Sequence, residues 1–224
     1  AAGHISGGVI INETWSVNAT AIDTTNLWTS VVGGTGTITR QFLNGVPHCR
    51  VRIPDTVSDS GIYSGGANQP SMMWPATLPV AEATHRWVKL TIEWSALMPI
   101  VTNIDNTGFF MGVGENANAD RLTNNIAGFY FASDVMRTIS DVAATEETNA
   151  FTNPSLTVWR KFKIVCIPTN IQYFVDNNVV ATHTTQIALA STAGITFNFN
   201  CLTDAAGSFD FLLGPVFAEY SARL

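Results

Sequence analysis

Apolar and polar residues alternate along most segments of this chain that are rich in aromatic and β-branched residues. In RWVKLTIEW, residues 86–94, one phase holds Val88, Leu90, Ile92 and Trp94, and the other is mostly polar or charged. A period of two is the signature of a strand with one buried face, and it argues against a helix of the same length. The chain is therefore predicted to build its core mainly from strands.

Further strand-like segments are separated by short clusters of Gly, Asn and Asp. GFFMGVGE (108–115) and AGFYFASD (127–134) are aromatic, and SFDFLLGPVFAEY (208–220) lies near the end of the chain. Many short strands with turn residues between them indicate a β-sandwich or barrel. We expect an all-β fold of two antiparallel sheets with little or no helix. The predicted core residues are Val88, Leu90, Ile92, Phe162, Ile164, Phe197, Phe199, Phe209 and Phe211.

One segment, SDVMRTISDVAATEETN at residues 133–149, also fits a helix. Val135, Ile139 and Val142 recur at spacings of four and three residues, and Ser133 is a candidate N-cap. The alternation in the surrounding segments favours a strand followed by an acidic loop. The helix stays as the alternative.

Length and charge limit the function classes. The chain has 224 residues, of which 46% are hydrophobic and only 12% are charged, against about 25% in an average protein. We expect one domain over residues 1–224, with residues 1–8 as a short N-terminal arm. The net charge of −6, without a basic cluster, argues against nucleic-acid binding. Pro and Gly interrupt the longest apolar runs, so no membrane span is predicted.

The three cysteines, Cys49, Cys166 and Cys201, fall in the apolar phases of three strands. None belongs to a C-x-x-C pair, so a zinc or redox motif is absent. We expect three buried, reduced thiols that act as small hydrophobic residues. A Cys166–Cys201 disulfide across the core is the alternative.

The segment QYFVDNNVVATHT, residues 172–184, has two strand-like runs on either side of Asp176 and Asn177. Asn tolerates the left-handed conformation of tight hairpins, and an Asp at a corner can bond the backbone two residues on. We predict a hairpin turn here, with a positive φ at Asn177 and a structural role for Asp176.

This hairpin also carries a family resemblance. WRKFKIVCIPTNIQYFVDNNVVATHT (159–184) resembles the C-terminal half of concanavalin A-like lectin/glucanase jelly rolls, although Asn177 stands where that pattern usually has Gly. LWTSVVGGTGTITRQFLNGVPHCRVRI (27–53) and FFMGVGENANADRLTNNIAGFYFASD (109–134) resemble the variant found in bacteriophage virion proteins. The resemblance runs from about Trp28 to Tyr220 and implies a jelly-roll sandwich.

Because this fold hosts glycosidases, paired carboxylates are the first chemistry to look for. Retaining glycosidases need two carboxyl groups roughly 5 Å apart, which within one strand means acids at i and i+2 or i+4. No second acid stands in that register beside any of the candidates Glu93, Asp134, Asp141, Glu146, Glu147 and Asp210. Alginate-lyase strand motifs are absent as well. We therefore predict that the chain is not an enzyme.

Nucleophilic catalysis and metal binding find little support. There is no Gly-x-Ser-x-Gly elbow. NIDNTG with Asp105 and ENANAD with Asp120 offer oxygen ligands for calcium, but Asn and Asp also serve turns directly. We expect no cofactor, with calcium at Asp105 or Asp120 as a weak alternative. The four histidines are predicted to lie on the surface: His4, His48, His85 and His183.

Two surface features are candidate contacts. Trp87 lies on the polar phase of its strand and is a candidate for stacking on a sugar; the alternative is packing against a second sheet or loop. SGIYSGGANQPSMMWPATLPVA (60–81) has no charged residue and three closely spaced prolines, which favour a loop or edge. Met72, Met73 and Trp74 are predicted protein contacts. Alternatively, they fold back and plug one end of the jelly roll.

These features together favour a non-enzymatic structural, decoration or fibre protein of a bacteriophage virion. Its partners would be capsid or other virion proteins and further copies of itself, with glycans as additional ligands. It would be found in the extracellular particle after assembly in the host cytoplasm. A lectin-like carbohydrate-binding module is the alternative, and a glycoside hydrolase or polysaccharide lyase is the least favoured reading.

Overall fold

The computed structural model describes residues 5–15, 28–32, 37–53, 58–64, 86–101, 109–114, 126–132, 135–142, 145–167, 169–187, 196–203 and 209–223. All the regular elements in these ranges are strands. They are β1 Ile5–Glu13, β2 Trp28–Val32, β3 Thr37–Leu43, β4 Val46–Ile53, β5 Ser58–Ser64, β6 Arg86–Val101, β7 Phe109–Gly114, β8 Ile126–Ala132, β9 Val135–Val142, β10 Thr145–Ala150, β11 Arg160–Ile167, β12 Asn170–Val175, β13 Asn178–His183, β14 Thr196–Thr203 and β15 Phe209–Arg223.

The strands form two antiparallel sheets. One has eight strands in the order β13-β12-β11-β6-β15-β4-β3, with β1 also paired to β15. The other has seven strands in the order β10-β9-β8-β7-β14-β5-β2. This architecture confirms the predicted all-β sandwich. Within the described ranges, no helix is long and apolar enough to cross a membrane.

The core between the sheets is aromatic and is centred on Trp94 of β6. Its indole stacks on Phe162 with ring centroids 5.9 Å apart, and it meets Phe129 and Phe199 of the other sheet edge-on. Burial confirms the core prediction for Leu90, Ile92, Phe162, Ile164, Phe199 and Phe211. The side chains of Val88, Phe197 and Phe209 lie outside what the structure describes.

Two segment predictions need correction. Residues 5–8, predicted as part of an N-terminal arm, belong to β1, which pairs with β15 from Ile5 opposite Arg223. The acidic segment after β9, predicted as a loop, forms β10 and pairs back on β9. The helix alternative for residues 133–149 is also wrong, because β9 and β10 make a hairpin there. The single-domain assignment stays a prediction.

Cys49 and Cys166 are buried and belong to no disulfide, so the alternative Cys166–Cys201 disulfide is wrong. Burial raises the pKa of the Cys166 thiol far above its usual value, which keeps the thiol protonated and unreactive. The side chain of Cys201 lies outside the described part of the structure.

The hairpin between β12 and β13 turns at Asp176 and Asn177, with φ values of 49° and 66°. Two consecutive left-handed residues make a type I′ turn, whose twist suits antiparallel strands. The positive φ predicted for Asn177 is confirmed. The bonding predicted for Asp176 is wrong: its carboxylate accepts from Arg160 Nη1 at 2.8 Å and from the Lys161 backbone N–H at 3.0 Å. The side chain therefore fastens the turn to β11.

Replacing Asn177 with Gly should leave the free energy of unfolding unchanged or slightly higher, because Gly adopts a positive φ without steric cost. Replacing it with Val should lower that free energy by about 1 kcal/mol or more, since β-branched residues are strained there. Urea unfolding of the two variants measures both effects. A Val variant as stable as the wild type would contradict the turn geometry.

Candidate functional site

Most of the contact and ligand residues predicted from the sequence lie outside the residues that the structure describes. Met72, Met73, Trp74, Asp105 and Asp120 all lie outside the described residues. Trp87 lies in β6 with its backbone opposite Ala222, and its side chain is not described. In the ranges that are described, no group of three or more His, Cys, Asp or Glu side chains could hold a metal ion.

The structure instead brings two carboxylates together on the hairpin of β9 and β10. Thr138 and Ser140 of β9 point into the sandwich, where both contact His183 of the other sheet. Side chains alternate along a strand, so Asp141 points to the opposite, outer face of the seven-stranded sheet. Glu146 of β10 is directly opposite Asp141 and shares that face.

Residues directly opposite each other in an antiparallel pair have Cβ atoms about 4.5–5.5 Å apart. Asp141 and Glu146, called here the carboxylate pair, therefore stand side by side. Their surroundings differ, because Asp141 is only 2% exposed whereas Glu146 is exposed to solvent. Two carboxyl groups in unlike surroundings are what acid–base chemistry with two carboxylates requires.

The outer face continues across the sheet in rows set by the strand register. Beside the pair, Thr148 stands opposite Ile139. In the next row Arg137 stands opposite Tyr130 of β8. The Nε atom of Arg137 is buried and has no hydrogen-bond partner among the described residues. The face thus combines two acids, a hydroxyl, a guanidinium and an aromatic ring within three strands.

The face is filled over β7 and β8 and open over β10. The ring of Phe110 covers Gly128, where an added Cβ would lie 2.5 Å from Phe110 Cε2 and 2.6 Å from the Met111 carbonyl oxygen. Phe110 and Tyr130 are buried there together with Ile126 and Ile139. Over β10, Glu146 is exposed and Thr148 is half-buried. A ligand therefore has access to Glu146 from the β10 side, and Asp141 lies at the buried margin of this opening.

Three carboxylates elsewhere in the described ranges form ion pairs. Asp210 forms a bidentate pair with Arg50, through Nε at 2.8 Å and Nη2 at 2.6 Å. Glu93 pairs with Lys161 at 2.6 Å. Asp176 fastens the turn described above. These three carboxylates therefore have structural roles.

Behind the carboxylate pair, His183 joins the two sheets. Its Nδ1 lies 2.7 Å from Ser140 Oγ, and its Nε2 lies 2.9 Å from Thr138 Oγ1. Thr138 donates to the Asn149 carbonyl oxygen at 3.4 Å, so we infer that its Oγ1 accepts from Nε2–H of His183. Burial lowers the pKa of His183, which favours the neutral ring. The Tyr173 ring packs beside it at 4.6 Å.

The surface location predicted for the histidines is wrong for two of them. His183 and His48 are 0% and 1% exposed. The alternation along β13 predicted a surface position for His183. Its ring is instead buried at the end of β13, where it contacts hydroxyl groups from β9. His4 and His85 lie outside the described residues.

These two buried rings should make stability depend on pH. Burial lowers the pKa of both His183 and His48 below the usual 6.5. The unfolded chain binds these protons near pH 6.5 and the folded chain only at lower pH. The free energy of unfolding therefore has its full value above pH 6.5. As the pH falls below 6.5, each histidine lowers the free energy of unfolding by up to about 1.4 kcal/mol per pH unit.

Urea unfolding between about pH 8 and about pH 5 measures this dependence. A His183→Gln variant should lose the part of the slope that comes from that ring. Equal free energies at both ends of the range would contradict the assignment of neutral, buried rings.

No protein-family model matches the sequence, and no curated protein matches it. Solved structures do match its fold. A chain from a study of endo-acting O-glycanases that initiate mucin breakdown in the human gut microbiota superimposes with a TM-score of 0.64 at 8% identity, over 94% of this chain and 98% of that one. A glycosyl hydrolase family 16 protein from Mycobacterium smegmatis gives 0.62 at 9% identity, over 94% and 100%.

Botulinum neurotoxin binding domains match as well. A type C chain, from work on its interaction with two ganglioside molecules, gives a TM-score of 0.57 at 7% identity over 94% of this chain. The present chain spans about half of that toxin chain, 47% of its length. These likenesses confirm the predicted lectin/glucanase jelly-roll fold. The virion part of the resemblance stays a prediction.

The prediction that the chain is not an enzyme is overturned. That prediction relied on the absence of paired carboxylates within single strands. Glycosyl hydrolases nevertheless share this fold over 94% of the chain. Two acids also meet across a hairpin, a pairing that a search within single strands does not detect. Both grounds for the exclusion are thereby removed.

Proposed function

We propose that this chain is a carbohydrate-active jelly roll that binds a glycan on the outer face of β9 and β10 and cleaves a glycosidic bond with Asp141 and Glu146. The observation that carries the proposal is the cross-strand register, which places the two acids directly opposite each other on one face. The partly open edge over β10 gives a sugar access to Glu146, beside which Asp141 is buried.

The reaction assigns one role to each acid. One carboxyl group protonates the departing glycosidic oxygen, and the other attacks the anomeric carbon or activates the water that does so. Water reaches the exposed Glu146, so we assign the nucleophile or base role to Glu146 and the proton-donor role to the buried Asp141. The proton returns to the pair from the water whose hydroxyl group ends on the anomeric carbon.

The matching structures support a glycan as the ligand class. They come from work on mucin O-glycanases, a putative β-glucanase and ganglioside interaction. Thr148 in the row next to the pair and Arg137 one row further along the face supply hydrogen-bonding groups that suit sugar hydroxyls. A glycan bound without cleavage would correspond to the lectin-like alternative, with Trp87 as a further stacking candidate.

A panel of β-glucans, mucin O-glycans and ganglioside headgroups tests the proposal. Release of reducing ends from one of these classes is expected, and the Glu146→Gln variant should bind the same glycan without cleaving it. Binding without release by the wild type would leave only the lectin-like function. Neither binding nor release across the panel would contradict the proposal.

As a second candidate function, we propose that the chain forms protein contacts in a bacteriophage particle, as the resemblance of residues 27–53 and 109–134 implies. Phe42 supports a contact surface, because it is 63% exposed on the edge strand β3. Met72, Met73 and Trp74 are further candidates. Sedimentation of the wild type and a Phe42→Ser variant tests this: self-association lost in the variant supports it, and a monomeric wild type that binds no capsid protein contradicts it.

A further inference from the structure

The chain leaves the eight-stranded sheet at the end of β13 and immediately contacts the edge of the seven-stranded sheet. His183 inserts its ring between the hydroxyl groups of Thr138 and Ser140 on β9. The next three residues, 184–186, bind Glu147 on β10. We call His183, residues 184–186 and Glu147 the clasp.

Glu147 is held unusually tightly for a residue near the surface. Its Oε2 accepts from the backbone N–H groups of Thr184, Thr185 and Gln186 at 3.1, 2.9 and 3.1 Å, and from Thr185 Oγ1 at 2.7 Å. Although burial acts to raise it, the pKa of Glu147 is lowered to about 2, first by the Thr185 hydroxyl and then by the three N–H groups. The carboxylate is therefore charged in a nest of donors.

The clasp lies directly behind the carboxylate pair. Glu147 is opposite Ser140, just as Glu146 is opposite Asp141. Each acid of the pair is thus the chain neighbour of a residue that the clasp holds from inside the sandwich. Because neighbouring side chains in a strand point to opposite faces, the clasp never touches the ligand side.

From this arrangement we infer that the clasp is a positioning device for the carboxylate pair, with Glu147 as a positioning residue that holds β10 in register against β9. The inference rests on the proposed function for its catalytic consequence. A positioning device is needed because β10 is an edge strand. In the seven-stranded sheet, the described pairing of β10 is with β9 alone. Edge strands open locally at low cost, and a displacement of about 1 Å can slow catalysis about 10²-fold.

Disulfide trapping tests the positioning without any activity assay. Cysteines that replace Asp141 and Glu146 occupy directly opposite positions, whose Cα separation of about 4.5–5.5 Å suits a disulfide. Adding Glu147→Gln should slow formation of this bond by oxidised glutathione, because β10 then spends less time in register with β9. Adding Glu93→Gln, which breaks a surface ion pair on the other sheet, should leave the rate unchanged.

Hydrogen exchange of the amides of residues 145–150 measures the opening of β10 without the introduced cysteines. Exchange should rise about tenfold in Glu147→Gln and stay at the wild-type rate in Glu93→Gln. Unchanged trapping and unchanged exchange in Glu147→Gln would overturn the inference. This measurement decides the question if the double-cysteine variant does not fold.

The catalytic consequence is read from kcat and KM separately. Glu147→Gln should lower kcat about tenfold with KM within about twofold, and Glu147→Asp should recover part of kcat. Looser trapping with an unchanged kcat would overturn the positioning role. A wild type that cleaves no glycan would refute the proposed function alone, and the trapping rates would still decide whether the clasp holds the pair.

Discussion

Replacing Trp94 with Ala should lower the free energy of unfolding by about 3–5 kcal/mol. Trp94 is 1% exposed and contacts aromatic rings from both sheets, so its removal leaves a cavity that rigid strands close only in part. The stacked contact with Phe162 and the edge contacts with Phe129 and Phe199 are lost together.

Urea unfolding measures the change, with Val179→Ala as the control. Val179 is 54% exposed on the edge strand β13, so this truncation should stay within about 0.5 kcal/mol. A Trp94→Ala variant that loses less than about 1 kcal/mol would show that the two sheets do not pack through this residue.

Replacing either acid of the carboxylate pair should lower kcat/KM by about 10³-fold or more once the cleaved glycan is identified. Glu146→Gln removes the nucleophile or base, and Asp141→Asn removes the proton donor, while both changes preserve side-chain shape. Because the two acids act in one reaction, the double variant should be little worse than either single variant.

The control is Glu219→Gln, an exposed carboxylate on β15 of the other sheet. Its kcat/KM should match the wild type. Circular dichroism should show strand spectra for all variants. A pair variant that folds and retains kcat/KM within about tenfold of the wild type would remove the acid from the reaction.

Alternation predicted the sandwich because burial of one face is a local property of a strand. The phases of Leu90, Ile92, Phe162 and Ile164 all match the observed core. The hairpin at Asp176 and Asn177 was equally readable, since its turn chemistry lies within two residues. What a single strand dictates could thus be predicted from the sequence.

The candidate site depended on a register that the sequence signals weakly. Residues 143 and 144, between β9 and β10, are both Ala, so the sequence lacks the Gly or Asn that marks most tight hairpins. Without that hairpin, Asp141 and Glu146 are five residues apart and unrelated. One signal was present: Thr145 and Thr148 favour a strand in this acidic segment.

The clasp was missed for a similar reason. His183 meets Thr138 and Ser140 across 45 and 43 residues of sequence and between two different sheets. No local pattern reports such a contact, and strand phase alone favoured the surface for this histidine. Long-range pairing, rather than composition, decides where the polar groups of this fold meet.

A glycan is expected to bind at the carboxylate pair. Amide chemical shifts show where it binds when a glycan from the panel is titrated into the Glu146→Gln variant. The largest changes should fall in β9 and β10, residues 135–142 and 145–150, with smaller ones at Tyr130 of β8. Saturable changes confined to other strands, with the shifts of β9 and β10 unchanged, would show that the glycan binds elsewhere and that the carboxylate pair is not its site.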